Sequence, residues 1–145
     1  MVFGAVTFLE FESALLGDVK SLGQLDPWVF SMARHPATVL SSRLTPPVAW
    51  RSADIVAGDG IAEVRRLKAT SRLPLRSHGS LSVNRELLAA GLVDRIQVTV
   101  FPIVSGETGS ALVFAGAPDL DLRLVSHQVF DGQIAEFTYE PCRRI

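Results

Sequence analysis

The tripeptide His78-Gly79-Ser80 stands between a short apolar segment, which contains Leu73 and Leu75, and an amphipathic helical pattern. Glycine allows the backbone to approach a ligand closely, and a helix start offers unpaired N–H groups with partial positive charge. A strand, a tight Gly/Ser turn and a helix start together form a phosphate-binding corner, which indicates a nucleotide-type ligand. The alternative is that these residues only cap the helix, and the corner alone leaves both interpretations open.

Two further segments carry groups that suit a phosphate. Ser41, Ser42 and Arg43 follow a predicted strand and offer two hydroxyls and a permanent cation, which can bind a phosphate through two parallel hydrogen bonds. Thr7 stands at the start of the first predicted helix, where its hydroxyl and its N–H could both contact a phosphate oxygen. A solvated turn and a plain N-cap are the alternatives, and both stay open.

Two side chains near the corner have expected structural roles. His78 is expected to pack beside the turn rather than to bind a ligand. Arg76 lies in a predicted strand, where a buried unpaired charge would be very costly. We therefore expect Arg76 to reach solvent or a ligand, or to pair with an acid.

The corner continues into a helix and a strand. Val83, Leu87 and Leu88 predict one buried helix face, and Gly91 ends this helix. A strand is predicted over residues 95–101 and stops at Pro102. Because apolar residues recur along this strand, we expect it in the interior of the sheet.

The rest of the chain alternates between the two kinds of element. Asp59 is the expected N-cap of one helix, and Asp131-Gly132 predicts a hairpin because both residues tolerate positive φ. Strands that alternate with helices and end in an antiparallel hairpin predict an α/β fold with a mixed sheet. The sequence pattern predicts helices over residues 7–19 and 61–70, and a short turn or helix over residues 26–32. It predicts strands over residues 37–42, 53–56, 119–130 and 133–140.

Composition and charge are those of a globular protein. The 145 residues fit one domain, and 48% of them are hydrophobic while 20% are charged. Fourteen basic and fifteen acidic residues give a net charge of −1 without a basic stripe, so a nucleic-acid partner is not expected. Lack of an apolar run long enough to cross a membrane, and a single cysteine, Cys142, predict a soluble cytoplasmic protein. The three histidines and this cysteine lack the spacing of metal ligands.

Three blocks of the sequence resemble one known family. They are VFGAVTF at residues 2–8, VLSSRL at residues 39–44, and a third block that runs from HGS at residues 78–80 through AGLVDR at 90–95 to FPIVSG at 101–106. The third block is the most specific. Over nearly the whole chain, the pattern resembles the dihydrofolate-reductase-like family, specifically the reductase domain of riboflavin biosynthesis and its free-standing bacterial relatives.

This resemblance implies one reductase domain over residues 1–145. The implied fold is a three-layer α/β/α arrangement with a mixed, mostly parallel central sheet and a C-terminal antiparallel hairpin. The implied cofactor is NADPH, which would lie across the strand ends with its 2′-phosphate near Arg43. The implied cofactor-binding residues are Thr7, Ser41, Ser42, Arg43, Gly79, Ser80, Leu81 and Ser82.

The resemblance also implies an activity and an assembly. The expected protein is a homodimeric NADPH-dependent reductase that transfers a hydride to a small heterocyclic, carbonyl or imine substrate, similar to 5-amino-6-(5-phosphoribosylamino)uracil reductase. In such enzymes the cofactor carries the hydride chemistry while the protein orients it. The sequence assigns no general acid. A catalytically inactive nucleotide-binding module and a structural homodimeric module are the alternatives.

Two departures from the family pattern affect these expectations. Many relatives carry a basic residue just before the threonine, whereas Ala5 and Val6 stand here, which removes one phosphate contact and leaves the choice between NADPH and NADH open. The family usually begins with a strand and loop of the V-S-L-D-G type, and here the first matching block starts at Val2. We expect an N-terminally shortened domain in which a second subunit compensates for the lost strand.

Overall fold

The computed structural model describes residues 1–16, 27–46, 48–50, 52–106 and 112–144. The chain divides into two units, Met1–Asn84 and Arg85–Ile145. Along the first unit the elements are β1 (Val2–Gly4), α1 (Ala5–Leu16), α2 (Pro27–Met32), β2 (Ala37–Leu40), β3 (Ala53–Val56), α3 (Gly60–Thr70) and the start of α4 (Leu81–Ala89). The second unit contains the rest of α4 and the strands β4 (Ile96–Val100), β5 (Leu120–Phe130) and β6 (Ile134–Arg143).

A parallel sheet with the order β1-β2-β3 organises the first unit. Gly4 lies opposite Leu40, and Leu40 lies opposite Val56, so the three strands end at the same level. On the other side of β1, Ser77 forms a parallel bridge with Val2. The segment that leads to His78 therefore joins the sheet in the same direction as β1.

One face of this sheet carries the hydrophobic core. Phe3 and Val39 lie opposite each other and are fully buried. The ring of Trp50 lies 5.7 Å from that of Phe3 and 5.9 Å from that of Phe8 on α1, measured between centroids. Glu12 on α1 anchors the loop that contains Trp50, because Glu12 Oε1 accepts a hydrogen bond of 3.3 Å from the backbone N–H of Trp50.

The other face of the sheet is covered by α3 and by the start of α4. A Cβ atom at Gly60, the first residue of α3, would lie 3.0 Å from Leu40 Cδ1. A Cβ atom at Gly4 would lie 3.2 Å from Val83 Cγ2 on α4. Helices therefore cover both faces, which gives the first unit the three-layer arrangement that the family resemblance implies.

Local sequence signals located most of these elements well. The predicted strand over residues 53–56 is confirmed at both ends, and Asp59 is the N-cap of α3, since its Oδ1 accepts a 2.9 Å hydrogen bond from Ala62 N–H. α1 begins two residues earlier than predicted, at Ala5. Its predicted end at Val19 and the predicted start of α2 at Asp26 lie outside the described residues.

The second unit contains an antiparallel sheet with the order β4-β6-β5. The hairpin of β5 and β6 is confirmed: Asp131 and Gly132 have φ of 50° and 69°, and Gln133 N–H donates to Phe130 C=O at 3.0 Å. A register shift between Leu124 and Ser126 marks a bulge in β5.

The expectation for β4 is corrected by this sheet. Among the described residues β4 pairs with β6 alone and is an outer strand, not an interior one, and Val100 is 52% exposed. The apolar residues of β4 alternate as Ile96, Val98 and Val100. An alternating pattern needs only one covered face, so it does not require a central position.

The predicted α/β class, the parallel strands and the C-terminal antiparallel hairpin are confirmed. The described strands belong to two three-stranded sheets, one parallel and one antiparallel, where the family resemblance implied one mixed sheet. Within the described ranges, no helix combines the length and the apolar character that crossing a membrane requires.

The hairpin turn generates a test of the fold. Replacing Gly132 by Ala should lower the free energy of unfolding by about 1 kcal/mol, since a side chain at φ 69° is strained. Gly58→Ala is the matched control, because both glycines have open space at the Cβ position and only Gly132 has positive φ. Urea denaturation measures both variants, and equal stabilities would contradict the turn geometry.

Candidate functional site

The carboxyl ends of the parallel strands bring several chain segments to one edge of the first unit. In open α/β sheets, ligands bind in the crevice outside these strand ends. We call this region the carboxyl edge; it comprises the residues that follow β1 (5–7), β2 (41–43) and β3 (57–59), together with residues 78–82.

The starts of α1 and α4 meet at the carboxyl edge, beside β1. Gly79 has φ of +73°, and a Cβ atom there would lie 3.3 Å from Thr7 Cγ2 and 3.9 Å from Thr7 Oγ1. Beneath this contact, Ser80 Oγ accepts a 2.8 Å hydrogen bond from the Gly4 N–H. The structure therefore brings Thr7, Gly79 and Ser80 together.

The charges at the helix starts differ along the edge. α3 begins with the cap Asp59 and carries Glu63 in its first turn, so acidic groups already compensate its N-terminal N–H groups. α1 and α4 have no acidic residue in their first turns. In the first turn of α1, the Thr7 hydroxyl forms no hydrogen bond with any of the described residues. The α1–α4 corner is thus the part of the edge best suited to an anion.

The turn after β2 is held by its own first residue. Ser41 Oγ accepts hydrogen bonds from Arg43 N–H and Leu44 N–H, both at 3.1 Å, while Ser41 N–H donates to Val56 C=O at 3.0 Å. Ser42 and Arg43 are exposed. Ser41 therefore shapes the turn, and the Arg43 guanidinium remains accessible to a ligand at the end of β2.

The remaining predicted residues divide by exposure. Ser80 is only 3% exposed and its oxygen is bound to Gly4, so its side chain faces inward from the corner. Leu81 is half-buried and Ser82 is exposed at the start of α4. Sequence reasoning missed Gly4 as a site residue. Its signal was a glycine placed directly between a strand and a helix, where two backbones approach closely.

One observation supports the fit of the α1–α4 corner to a phosphate-bearing cofactor. The space beside Thr7 stays open only because residue 79 has no Cβ atom, and the positive φ of Gly79 independently favours glycine. The first turns of two helices begin beside this space, and their N–H groups have no partner within the helix. These are the donors that a pyrophosphate needs.

His78 has the structural position that the sequence analysis expected. Its ring packs against that of Phe11 on α1, with centroids 5.7 Å apart. Burial, and to a smaller extent the charge of Arg76, lowers the pKa of His78 below its usual value of 6.5. The imidazole is therefore neutral near pH 7. Arg76 itself is exposed, which meets the requirement that its charge not be buried unpaired.

The sequence profile of the RibD C-terminal domain family matches residues 16–135. The chain belongs to this family. Family membership supports an oxidoreductase of the riboflavin-pathway reductase type, as the sequence resemblance implied. The RibD match includes Ser41, Arg43 and the corner residues 79–82, whereas Thr7 precedes it and is placed in the corner by the structure.

Two solved structures share the RibD-like fold of this chain. One is a protein from Shewanella sp. PV-4 assigned to riboflavin biosynthesis, with a TM-score of 0.63, 21% identity, and coverage of 98% of this chain and 73% of that chain. The other is a pyrimidine reductase-like protein from Corynebacterium diphtheriae, with a TM-score of 0.59, 16% identity, and coverage of 99% and 75%. A search of curated protein sequences gave no significant match.

The packing of His78 generates a pH prediction. Because the pKa is lower in the folded than in the unfolded chain, the unfolded chain binds the proton first as pH falls below about 6.5, and stability then decreases. His78→Gln should reduce the loss of stability between about pH 7.5 and about pH 5.5, measured by urea denaturation. His127→Gln, at an exposed site, is the control. An equal pH dependence in the wild type and His78→Gln would contradict this prediction.

Proposed function

We propose that the chain is an NADPH-dependent reductase that transfers a hydride to a small heterocyclic, carbonyl or imine substrate. The observation that carries this proposal is the α1–α4 corner, where two helix starts without acidic residues meet beside Gly79, one strand away from an accessible Arg43. Membership in the RibD C-terminal domain family supports the reductase class.

The chain's own residues would hold the pyrophosphate at the corner. First-turn N–H groups of α1 and α4 point out of the helix starts, and the Thr7 hydroxyl adds a further donor. Gly79 keeps the backbone accessible because a Cβ atom there would fill the space beside Thr7. Ser82, exposed at the start of α4, adds a hydroxyl at its rim.

The adenosine end would lie at the turn after β2. Ser41 fixes this turn through two hydrogen bonds to backbone N–H groups, and Ser42 and Arg43 face solvent from it. A guanidinium can bind a 2′-phosphate with two charge-assisted hydrogen bonds, which would favour NADPH over NADH. When bound, the cofactor supplies the hydride; the protein supplies position and electrostatics.

A solved structure of the same fold supports a proposal for the substrate class. The solved structure from Corynebacterium diphtheriae is a pyrimidine reductase-like protein. We therefore propose a pyrimidine-type heterocycle first, with an activity similar to 5-amino-6-(5-phosphoribosylamino)uracil reductase, and other small carbonyl or imine compounds next. We also place the protein in the cytoplasm, since its Cys142 is a free, exposed thiol that a reducing compartment would preserve.

Arg43 provides the sharpest test of the cofactor assignment. Arg43→Ala should weaken NADPH binding by about 1.5–3 kcal/mol, the contribution of a hydrogen bond to a charged group, and leave NADH binding nearly unchanged. Cofactor fluorescence titration measures both affinities. Arg34→Ala is the matched control, because Arg34 is an exposed arginine that precedes β2 whereas Arg43 follows it.

The outcomes separate the candidate functions. An equal loss for NADPH and NADH would show that Arg43 does not contact the 2′-phosphate. Tight NADPH binding without turnover on a panel of pyrimidine, carbonyl and imine substrates would favour the inactive nucleotide-binding module. Failure of the wild-type chain to bind either nucleotide would favour the structural module.

We further propose that the chain forms a homodimer through one face of the antiparallel sheet. Cross-strand partners lie on the same face of a sheet, so Leu124, Tyr139 and Ile96 share one face, as do Val129, Ala135 and Val100. We call this the apolar face. None of these residues is charged, and Leu124 and Val129 are 50% and 60% exposed. Exposed contiguous apolar surface of this kind is typical of interaction sites.

The opposite face of the same sheet is polar and internally paired. Glu140 forms ion pairs with Arg123 and Arg95, and Gln128 Nε2 donates to Glu136 Oε1 at 2.6 Å. The six named residues of the apolar face carry no charge, so they can meet their own copy across a two-fold axis without the like-charge repulsion expected at the charged face. We therefore assign the partner copy to the apolar face.

Two lysine substitutions test the dimer. Leu124→Lys would place a charge on the apolar face and should convert the dimer into a monomer, because the charge would be desolvated in the interface. Ser126→Lys adds the same charge to the same strand beyond the bulge. Ser126 lies opposite Thr138 on the polar face, so this variant should leave the dimer intact. Light scattering at micromolar concentration measures both. A monomeric wild-type chain would contradict the assembly.

A further inference from the structure

Ser80 is the one polar residue that is buried among those the structure describes. It immediately precedes α4, where a serine usually accepts hydrogen bonds from the first turn of its own helix. Within the described part of the chain its oxygen instead accepts from Gly4, at 2.8 Å. Gly4 immediately precedes α1, so this hydrogen bond joins the starts of two helices that are 76 positions apart in sequence.

Close packing supports the same junction from both sides. A Cβ atom at Gly4 would lie 3.2 Å from Val83 Cγ2 in the first turn of α4 and 3.6 Å from Ser80 Oγ. A Cβ atom at Gly79 would lie 3.3 Å from Thr7 Cγ2 in the first turn of α1. The residues before each helix therefore leave little space between themselves and the first turn of the other helix, so a shift of one start would disturb the other.

We propose that Ser80 is a positioning residue that sets the separation of the first turns of α1 and α4, and thereby the affinity of the corner for a pyrophosphate. This inference rests on the proposed function. Donors from two helices bind one anion well only when both lie in register with it, and supporting hydrogen bonds must hold such a constellation to within a fraction of an ångström. Ser80 acts through Gly4 and the helix starts, not by contact with the cofactor.

The inward position of Ser80 also explains why a serine is compatible with this corner. A side chain directed at the ligand would crowd the backbone's approach to a phosphate, as a Cβ atom would at Gly79. The Ser80 side chain is directed at Gly4 and is shielded from solvent. Residue 80 can therefore carry a hydroxyl without narrowing the corner.

The experiment compares two fragments of the cofactor with the whole. Ser80→Ala removes the acceptor of the Gly4 N–H and should weaken binding of inorganic pyrophosphate and of NADPH by about tenfold. Binding of 2′-AMP, which carries only the adenosine and the 2′-phosphate, should not change. Calorimetric titration of each probe measures these affinities, and Arg43→Ala should give the inverse pattern, with 2′-AMP weakened and pyrophosphate unchanged.

Two further variants separate positioning from general loosening. Ser77→Ala removes another hydroxyl of the same segment, which donates to Asn84 Oδ1 at 2.6 Å, and should leave pyrophosphate binding unchanged. Gly4→Ala would press α1 and α4 apart at Val83 and should reproduce the Ser80→Ala pattern, which provides a test should Ser80→Ala fail to fold.

The results distinguish this inference from the function on which it rests. Unchanged pyrophosphate affinity in Ser80→Ala or in Gly4→Ala, with NADPH still bound by the wild-type chain, overturns the positioning role alone. An equal loss of pyrophosphate and 2′-AMP, or the same loss in Ser77→Ala, also overturns it. If the wild-type chain binds no NADPH, the proposed function and this inference fall together.

Discussion

The register of the parallel sheet is the constraint on which the candidate site depends. Gly4, Leu40 and Val56 end their strands side by side because Phe3 and Val39 must share the buried face. A shift of one residue would move every apolar side chain to the opposite face, so burial of the core locks the register. The carboxyl edge is a consequence of this fixed register, because the chain segments that follow the three strands all begin at the same level.

The helices that start at this edge differ in how their N-terminal N–H groups are satisfied, and that difference indicates where a ligand belongs. α3 has a complete local solution in Asp59, which accepts from Ala62 N–H, together with Glu63 in its first turn. α4 gives the oxygen of its preceding serine to Gly4. When the capping oxygen of a helix binds another element, the first-turn N–H groups of that helix remain available to a ligand. The helix dipole favours an anion at this position.

Features that depend on neighbouring residues could be predicted from the sequence. Features that depend on contacts between segments far apart in the chain could not. Asp59 and the Asp131-Gly132 hairpin were predicted because capping and turn chemistry act over two to four residues. The inward direction of Ser80 was not predicted, since its partner Gly4 lies far away in the chain. The outer position of β4 was not predicted either, because its alternating apolar residues specify a covered face but not the number of neighbouring strands.

All the predicted cofactor residues, from Thr7 to Ser82, belong to the first unit, whereas the apolar face belongs to the second. This division has a physical basis. An anion site needs backbone N–H groups left unpaired by secondary structure, and helix starts supply them, while the strands of an antiparallel sheet use theirs in the ladder. The antiparallel sheet instead offers side-chain surface, with the ion pairs of Glu140 on one face and the exposed side chains of Leu124 and Val129 on the other. The proposed nucleotide binding and the proposed self-association therefore draw on different chemical groups of the chain, and a substitution that alters one would leave the groups proposed for the other in place.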